Sequence, residues 1–380
     1  MARARARALA HAAKAGDLEK CRRLHAVHGY SRDEVRAFCD NLAIRWAAQH
    51  GRLAVCRWLY ATYALTVADL CARNTWTLRL AAEEGHLDVC QWLHAAGITY
   101  ARGCENYALR YAAANGHLAV CRWLHATYEM TAADVRVRDG DALQMAATGG
   151  HLGVCRWLAS VDAGMSGARS AMRAAAQRGH LALCKWVYAA CAPIGAEILD
   201  AFNYACALRG AATNGHLGVC RWLHTVAGGE IPWTRTDSEL ALRAAAENGH
   251  LGVCRWLRAV EKPDARADDI LPLKFAAHHG HLDVCRWLHA SAPHGDNESL
   301  CYAAARGHLA TCRWLHAIAG VKLTGVRAEN NWVLRGAAER GHLGACAWLH
   351  TTFGLAAADW EPLIPIAKPH VAAWIAALAP

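Results

Sequence analysis

The sequence lacks any long apolar run. Its apolar stretches are interrupted by Arg, His or Asp, whereas a helix that crosses a bilayer needs about 20 consecutive apolar residues. The first residues, from Met1 to Arg7, alternate Ala with Arg and lack the apolar centre of a secretory signal. We therefore expect no membrane segment, and we interpret the Arg-rich start as a solvated cap of the first helix.

Catalytic motifs are also missing. The chain has no Gly-rich phosphate loop, no nucleophile elbow and no unrepeated Cys/His/Asp set. None of the 17 cysteines forms a Cys-x-x-Cys pair, and eleven of them occupy one equivalent position in successive repeats. The sequence predicts a protein that is not an enzyme and has no cofactor. It also predicts free thiols in a reducing intracellular compartment, the cytoplasm.

One ten-residue phrase recurs through the chain. Gly-His-Leu-x-Val-Cys-Arg-Trp-Leu-His begins at Gly116, Gly215 and Gly280, and near-copies begin at other glycines. We count positions within each repeat from this glycine as position 0. The glycines are Gly16, Gly51, Gly85, Gly116, Gly150, Gly179, Gly215, Gly249, Gly280, Gly307 and Gly341. A period of about 33 residues indicates a stacked-repeat architecture.

The pattern of each repeat predicts one short helix before the glycine and one after it. Before it, an aliphatic residue at −7 and an Ala pair at −4 and −3 share one helical face. After it, Val at +4, Cys at +5, Trp at +7 and Leu at +8 form a wide apolar arc. Helices this short must stack on neighbours to be stable. We expect an all-α solenoid of about eleven helix-turn-helix units over residues 1–350, with a degenerate capping unit over 351–380.

The repeat resembles a known family. The segment from Asn74 to Leu93 contains Leu-Arg-Leu-Ala-Ala-Glu-Glu-Gly-His-Leu-Asp-Val-Cys-Gln-Trp-Leu. This is similar to the ankyrin repeat, Thr-Pro-Leu-His-x-Ala-Ala-x-x-Gly-His-x-x-Val-Val-x-x-Leu-Leu, and the resemblance runs from Leu9 to about His350. The Trp-Leu-His endings are similar to those of ankyrin arrays from large DNA viruses and protists. The resemblance implies a non-catalytic scaffold that binds another protein.

The segments between repeats depart from the family pattern. Three of them carry a capping-box spacing, in which a Ser or Thr is followed three residues later by an acid. These pairs are Ser31 with Glu34, Thr66 with Asp69, and Thr131 with Asp134. The pattern favours an extra helical turn over the family's β-hairpin.

The repeats also contain a candidate metal motif. His-x-x-x-Cys-x-x-x-His occurs six times, the first at His86, Cys90 and His94. A spacing of four places neighbours on one helical face, where they could share a metal ion. However, the cysteine stands where the family has a buried valine. We therefore interpret the motif as packing and keep a His/Cys metal-binding array as an alternative.

Two basic rows and a tryptophan row complete the pattern. We interpret the ten tryptophans at +7 as inter-repeat packing in which adjacent indoles cover each other, rather than as a ligand-stacking ladder. Nucleic-acid or other polyanion binding is a further alternative, because the net charge is +9 and most repeats carry a cation at +6. We expect a second row, Arg at −6, to be solvated, with intrahelical pairs at Arg79/Glu83, Arg243/Glu247 and Arg335/Glu339.

The positions that vary between repeats are the candidate partner-binding residues. They are −5, −2 and −1 of the first helix, which face away from the Ala seam and form the concave surface in the family. We expect a monomer that binds its protein partner through the inter-repeat loops and through these residues. They are Trp46, Gln49, His50, Glu83, Glu84, Tyr111, Asn115, Gln177, Arg178, Phe275, His278, His279, Arg306 and Arg340.

Overall fold

The computed structural model describes residues 2–37, 41–192, 201–226, 235–260, 271–291, 297–319 and 328–378. In these ranges the secondary structure is helical and contains no strand. None of the helices within them is both long enough and apolar enough to cross a membrane. The contacts divide the chain into two compact units, Met1–Asn203 and Tyr204–Pro380. The predicted all-α repeat architecture is confirmed.

The N-terminal unit consists of helix pairs, each with a repeat glycine between its two helices. The first helices are Ala2–Ala15, Leu42–Gln49, Ala72–Glu83, Gly103–Ala114, Val137–Thr148 and Ala168–Gln177. The second helices are Leu18–His28, Leu53–Thr62, Leu87–Ala95, Leu118–Thr127, Leu152–Val161 and Leu181–Cys191. Short helices Arg32–Ala37, Val67–Leu70 and Ala132–Val135 connect some of the pairs. These short helices begin directly after Ser31, Thr66 and Thr131, as the capping-box spacing predicts.

The C-terminal unit repeats the same pairing. Its first helices are Ala201–Thr213, which spans the division, Arg235–Glu247, Leu271–His279, Asn297–Ala305 and Ala328–Arg340. Its second helices are Leu217–Val226, Leu251–Val260, Leu282–Ser291, Leu309–Ala319 and Leu343–Phe353. Helix Ala357–Trp360, 3-10 turn Glu361–Leu363 and helix Pro369–Ala376 follow. The prolines shorten this last segment, and Pro369 occupies the first turn of its helix, where no backbone N–H is needed.

The repeated apolar positions form the core. In the repeat of Gly85, the core residues are Leu78, Ala81, Ala82, Val89, Cys90 and Leu93, each 0% exposed. The alanine side chains are small, so neighbouring helices can approach closely. All eleven cysteines at +5 are buried and free. Burial in this apolar environment raises the pKa of the Cys90 thiol to about 12.

The repeat glycine meets the histidine at +1 of the next repeat. Gly85 has a φ of +83°, and an added Cβ would lie 2.4 Å from Nδ1 of His117. The other ring nitrogen binds the backbone: Nε2 of His86 lies 3.0 Å from the carbonyl oxygen of Gln49. A carbonyl can only accept a hydrogen bond, so Nε2 carries the proton and donates. This contact ties consecutive repeats together at the −2 carbonyl.

The same contact recurs in the C-terminal unit. Nε2 of His250 lies 3.0 Å from the Thr213 carbonyl oxygen, and Nε2 of His308 lies 3.0 Å from that of His278. The last helix makes a related contact, in which Nε2 of His370 donates to the carbonyl oxygen of the repeat glycine Gly341, at 2.8 Å. The contact is also made where the +1 residue is not histidine. In the second repeat of the N-terminal unit, Nε of Arg52 replaces the imidazole and donates to the −2 carbonyl of Lys14 at 3.4 Å.

The +7 tryptophans pack between repeats, as predicted. The ring that meets the indole, however, is the imidazole at +9 of the preceding repeat, so the expected indole-on-indole cover is wrong for these pairs. The His125 and Trp157 ring centroids are 5.7 Å apart, and those of His224 and Trp256 are 5.8 Å apart. Both pairs meet edge to face, the arrangement that ring quadrupoles favour. The +9 residue, at the end of the second helix of one repeat, therefore lies directly beside the +7 residue in the second helix of the next repeat.

A second inter-repeat series joins the connecting segments of the N-terminal unit. The Asp134 carboxylate caps its own helix through the Thr131 N–H at 2.8 Å and accepts from Nε of Arg102, in the preceding repeat, at 2.9 Å. Asp69 is bound in the same way by Arg36, 2.6 Å away. Burial acts to raise the pKa of Asp134, but hydrogen bonds from Arg102, Thr131 and Asn106 outweigh it and lower the pKa to about 2.

Asp134→Asn is expected to destabilise the chain by about 2 kcal/mol at pH 7. The lowered pKa means that the Asp134 carboxylate stabilises the fold above its ordinary pKa of about 4. This contribution is lost as the pH falls towards about 2. Urea unfolding at pH 7 and near pH 2 measures this effect. The free energies of unfolding of Asp134→Asn and of the unchanged chain should differ at pH 7, and the difference should disappear near pH 2. Asp33→Asn is the matched control, because the Asp33 side chain is 92% exposed. An equal effect of both substitutions would contradict the role of this series.

Candidate partner-binding surface

At several repeats the Arg at −6 lies between repeats rather than in solvent, although Arg209 and Arg335 are exposed. Arg45 is 8% exposed and Arg110 is 6% exposed, so the expectation of a solvated row is wrong at these positions. Each side chain reaches position −9 of the next repeat. Nη1 of Arg110 lies 2.6 Å from Asp141, and the Arg45 guanidinium lies 5.3 Å from the Trp76 ring centroid. Lys274 makes the same contact with Glu298 in the C-terminal unit, at 2.6 Å.

Only one of the three predicted intrahelical pairs is formed. Nε of Arg335 donates to Glu339 at 2.8 Å, which confirms that pair. Arg79 instead lies over the Tyr107 ring, 3.9 Å from its centroid, and Arg243 lies 5.1 Å from that of Phe275. In both cases the guanidinium binds an aromatic ring of the next repeat instead of the solvated carboxylate four residues along its own helix. A cation over an aromatic ring is stabilised by about 0.5–1 kcal/mol or more.

The repeated His and Cys residues do not have the geometry of a metal site. The +5 thiols are buried and protonated, while zinc binds the thiolate. Imidazoles at +1 use Nε2 on a backbone carbonyl, as His86 does, and those at +9 face a tryptophan. In the described part of the chain, no group of three or more His, Cys, Asp or Glu residues is placed to hold a metal ion.

One group of predicted binding residues surrounds Glu83 in the N-terminal unit. Its carboxylate accepts from the Tyr107 hydroxyl at 2.8 Å, and its carbonyl accepts from the Asn115 amide at 2.7 Å. The Tyr111 ring stacks on Tyr107, with centroids 3.9 Å apart and planes inclined by 16°. The structure therefore brings the predicted residues Glu83, Tyr111 and Asn115 together, although they belong to two repeats.

The other predicted residues of this unit are less closely connected. Nε2 of Gln49 lies 3.4 Å from the Glu84 carboxylate, which joins these two predicted residues across a repeat boundary. The half-buried Trp46 ring lies 5.4 Å from the Lys14 ammonium nitrogen. His50 folds back, and Nδ1 donates to the Trp46 carbonyl at 2.9 Å. Gln177 and Arg178 are exposed at the end of helix Ala168–Gln177.

A second group lies in the C-terminal unit. His278 accepts from Nε of Arg306 at 2.9 Å, and its ring lies 4.7 Å from that of His279. Arg340 folds along its own helix, where Nη1 donates to the Gly336 carbonyl at 3.2 Å. Phe275 is half-buried under the Arg243 guanidinium. The structure thus brings together His278, His279 and Arg306.

Sequence reasoning missed the aromatic residues at −9. Trp76, Tyr107 and Trp332 occupy this position, and Tyr302 was overlooked at −5. The Tyr302 and Trp332 ring centroids are 5.2 Å apart. Positions −9 and −5 are one helical turn apart and share a face, so the i, i+4 spacing is a signal that could have found them. The exposed stripe of the first helices therefore includes −9 as well as −5, −2 and −1.

The second helices carry a separate exposed row of cations at +6. These residues are Arg22, Arg57, Arg122, Arg156, Lys185, Arg221, Arg255, Arg286 and Arg313, and all are exposed. They lie on the polar side of the second helices, away from the first-helix stripe.

Comparison with protein families decides the identity of the repeat. A family model described as ankyrin repeats (3 copies) matches residues 78–168, 109–200 and 208–299. The chain belongs to the ankyrin repeat family. The matched ranges include the predicted residues Glu83, Tyr111, Phe275 and His278, whereas Arg306 and Arg340 lie beyond the last match. A search of curated proteins returns no match to this chain.

Ankyrin repeats are generally protein–protein interaction modules, and the family is typically non-enzymatic. In this ankyrin chain the Ala pair at −4 and −3 is kept in all eleven repeats and the His at +1 in nine of them, while the family's His at −6 is usually Arg. That replacement lengthens the side chain enough to contact the next repeat.

Proposed function

We propose that this ankyrin chain is a non-catalytic scaffold that binds another protein through the exposed stripe of its first helices and the loops that follow them. One observation carries the proposal. The buried core positions are nearly identical in every repeat, while positions −9, −5, −2 and −1, most of which are exposed or half-buried, carry different aromatic, charged and amide side chains. The core does not require this variety. Some of these side chains contact the neighbouring repeat, as Tyr107 and Asp141 do, but they remain partly exposed and can contribute to the choice of a partner.

The group around Glu83 has the features of a binding site for protein. Tyr107 and Tyr111 present stacked rings, and tyrosine supplies a large contact area with little rotational freedom to lose. The Glu83 carboxylate is held by the Tyr107 hydroxyl before any partner arrives. Groups ordered in advance lose less entropy on binding, which raises affinity.

The test uses a quadruple variant, with Glu83, Glu84, His278 and His279 changed to alanine. We expect partner capture from extracts of the source cell, quantified by mass spectrometry, to fall at least tenfold, since about 1.4 kcal/mol of lost contact gives that factor. Asp88→Ala combined with Asp283→Ala is the control, because both side chains are exposed on the second helices. Full retention of partners by the quadruple variant would contradict the proposal.

Polyanion binding is the second candidate function. The exposed +6 cations favour it, since a row of cations can follow a chain of phosphates. We further propose a monomer in a reducing intracellular compartment, with an array over residues 1–350 and a capping unit over 351–380. The sixteen described cysteines are all free thiols, which supports the compartment.

A further inference from the structure

Four side chains form a basic cluster in the C-terminal unit: His278, His279, Arg306 and Arg340. They occupy positions −2 and −1 of three successive repeats. Nε of Arg306 donates to Nε2 of His278 at 2.9 Å, which fixes the arginine against the neighbouring repeat. Arg306, Arg340 and His279 are exposed, and His278 is half-buried.

The guanidinium groups of this cluster keep donors for a ligand. Arg306 is held through Nε, so both of its terminal NH2 groups remain for binding. Arg340 uses Nη1 on the Gly336 and Ala305 carbonyls, at 3.2 and 3.5 Å, and keeps Nη2 and Nε. An arginine held in this way can bind a carboxylate through two parallel hydrogen bonds, the strongest geometry available to it.

One nearby carboxylate, Glu247, meets His279, and among the described residues no carboxylate pairs with Arg306 or Arg340. In the described part of this unit, Glu247 lies 3.6 Å from His279, Glu339 pairs with Arg335 and Glu298 pairs with Lys274. The pKa of His278 is lowered to about 4. Burial is the main cause, and the positive charges of Arg306, His279 and Arg340 also lower it. The charges that act on His278 are thus all positive, and this surface attracts anions.

The charge at these positions differs elsewhere in the chain. In the N-terminal unit the equivalent −2 and −1 positions of one repeat are Glu83 and Glu84, so a basic −2/−1 row is not a general property of these repeats. Aromatic side chains border the cluster, because the Tyr302 ring lies 5.7 Å from that of His278 and 5.2 Å from that of Trp332. A peptide bound here would find apolar contacts beside the cations.

We infer that the basic cluster binds a segment of the protein partner that is rich in Asp and Glu carboxylates. This inference rests on the proposed function and adds the chemistry of the partner to it. A carboxylate-bearing peptide fits better than a nucleic acid, since the cations are few, are localised on three repeats and stand beside aromatic rings. The +6 row lies elsewhere and does not enter this site.

The test measures binding of a fluorescein-labelled 12-residue peptide of alternating Glu and Ser to the full chain by fluorescence anisotropy in 50 mM NaCl. Arg306→Ala combined with Arg340→Ala is expected to weaken binding at least tenfold, because two charge-assisted contacts are lost. Arg286→Ala combined with Arg313→Ala is the matched control. It removes the same charge from the same unit, at the +6 row, and should change affinity less than twofold.

The outcomes separate this inference from its alternatives. Equal loss in both double variants would mean general attraction of anions, and no loss in either would mean that the cluster does not bind acidic peptide; both overturn the inference. Tighter binding of a same-length single-stranded DNA than of the peptide would also overturn it. Arg306→Gln with Arg340→Gln repeats the test with side chains that keep hydrogen bonding but lose charge, and circular dichroism confirms that each variant is folded.

A phosphoserine version of the peptide distinguishes the two sources of negative charge. The inference predicts that the Glu peptide binds without phosphorylation, and binding of the phosphorylated peptide alone contradicts it. Partner capture distinguishes failure of the inference from failure of the proposed function. If Glu83→Ala combined with Glu84→Ala loses the partners while Arg306→Ala combined with Arg340→Ala keeps them, the scaffold function stands and the basic cluster is not the contact.

Discussion

Gly85→Ala is expected to lower the free energy of unfolding by about 3 kcal/mol. Gly85 has a φ of +83°, a left-handed conformation that costs a residue with a Cβ about 1–2 kcal/mol. The new Cβ would lie 2.4 Å from Nδ1 of His117, so the ring must move. Its hydrogen bond to the Glu83 carbonyl would then be lost, at a further cost of about 1 kcal/mol. Urea unfolding followed by circular dichroism measures the effect.

Gly153→Ala is the matched control in the same unit. Gly153, at position +3 of its repeat, is the second residue of helix Leu152–Val161, and the nearest atom to an added Cβ is Cδ2 of Leu118, 3.8 Å away. Alanine is favoured over glycine inside a helix by roughly 0.5–1 kcal/mol, so this substitution should be neutral or stabilising. Equal destabilisation by both substitutions would contradict the role given to the repeat glycine.

The repeat architecture could be predicted because its signals are local and recur. The Ala pair before each glycine and the Val, Cys and Leu after it are buried, as at Ala81, Ala82 and Cys90, except that Leu24 of the first repeat is half-buried. The capping-box pairs, such as Thr66 with Asp69, were equally predictable, since both partners lie within one turn. Patterns of this kind depend only on helical periodicity.

Contacts between repeats were harder to predict. Arg79 was expected to pair with Glu83 four residues away, but its stacking partner, Tyr107, lies in the next repeat and differs in residue type from other −9 positions. Arg110 reaches Asp141, and Arg45 reaches Trp76, so one position contacts different chemistry in each repeat. Periodicity places the arginines on a face and gives no information about which residue the next repeat presents.

The left-handed residue at the start of several first helices was not predicted, although the Asn or Gly at position −10 indicates it. Position −10 has a positive φ at Asn41 (61°), Asn106 (56°), Gly140 (77°) and Asn331 (57°). Asn and Gly are the residues that adopt this conformation most readily. Asn106 also donates to the Asp134 carbonyl at 2.9 Å, so the same residue turns the chain and bridges repeats.

The candidate surface was predicted in part for the same reason. Positions −5, −2 and −1 follow from helical geometry, and their side chains lie in the exposed stripe. The close contacts among them, such as Glu83 with Tyr107 or His278 with Arg306, depend on the relative position of two repeats. That position is set by helix packing and is not readable from one repeat alone.

Side chains that recur in every repeat serve packing, and the reactivity of the cysteines at +5 reports on this role. Cys121 is 0% exposed and burial raises its pKa to about 12, so both access and thiolate content are low. Cys104 is exposed and provides an internal reference.

Pulsed alkylation with iodoacetamide, resolved by site with mass spectrometry, measures the reaction rate of each thiol in the folded chain and in urea. We expect folding to slow alkylation of the +5 cysteines at least a hundredfold, and that of Cys104 only a few-fold. Rates at the +5 cysteines close to that of Cys104 would contradict it. Protection that disappears with a chelator while the helices remain would also contradict it, since the sulfurs would then be metal ligands.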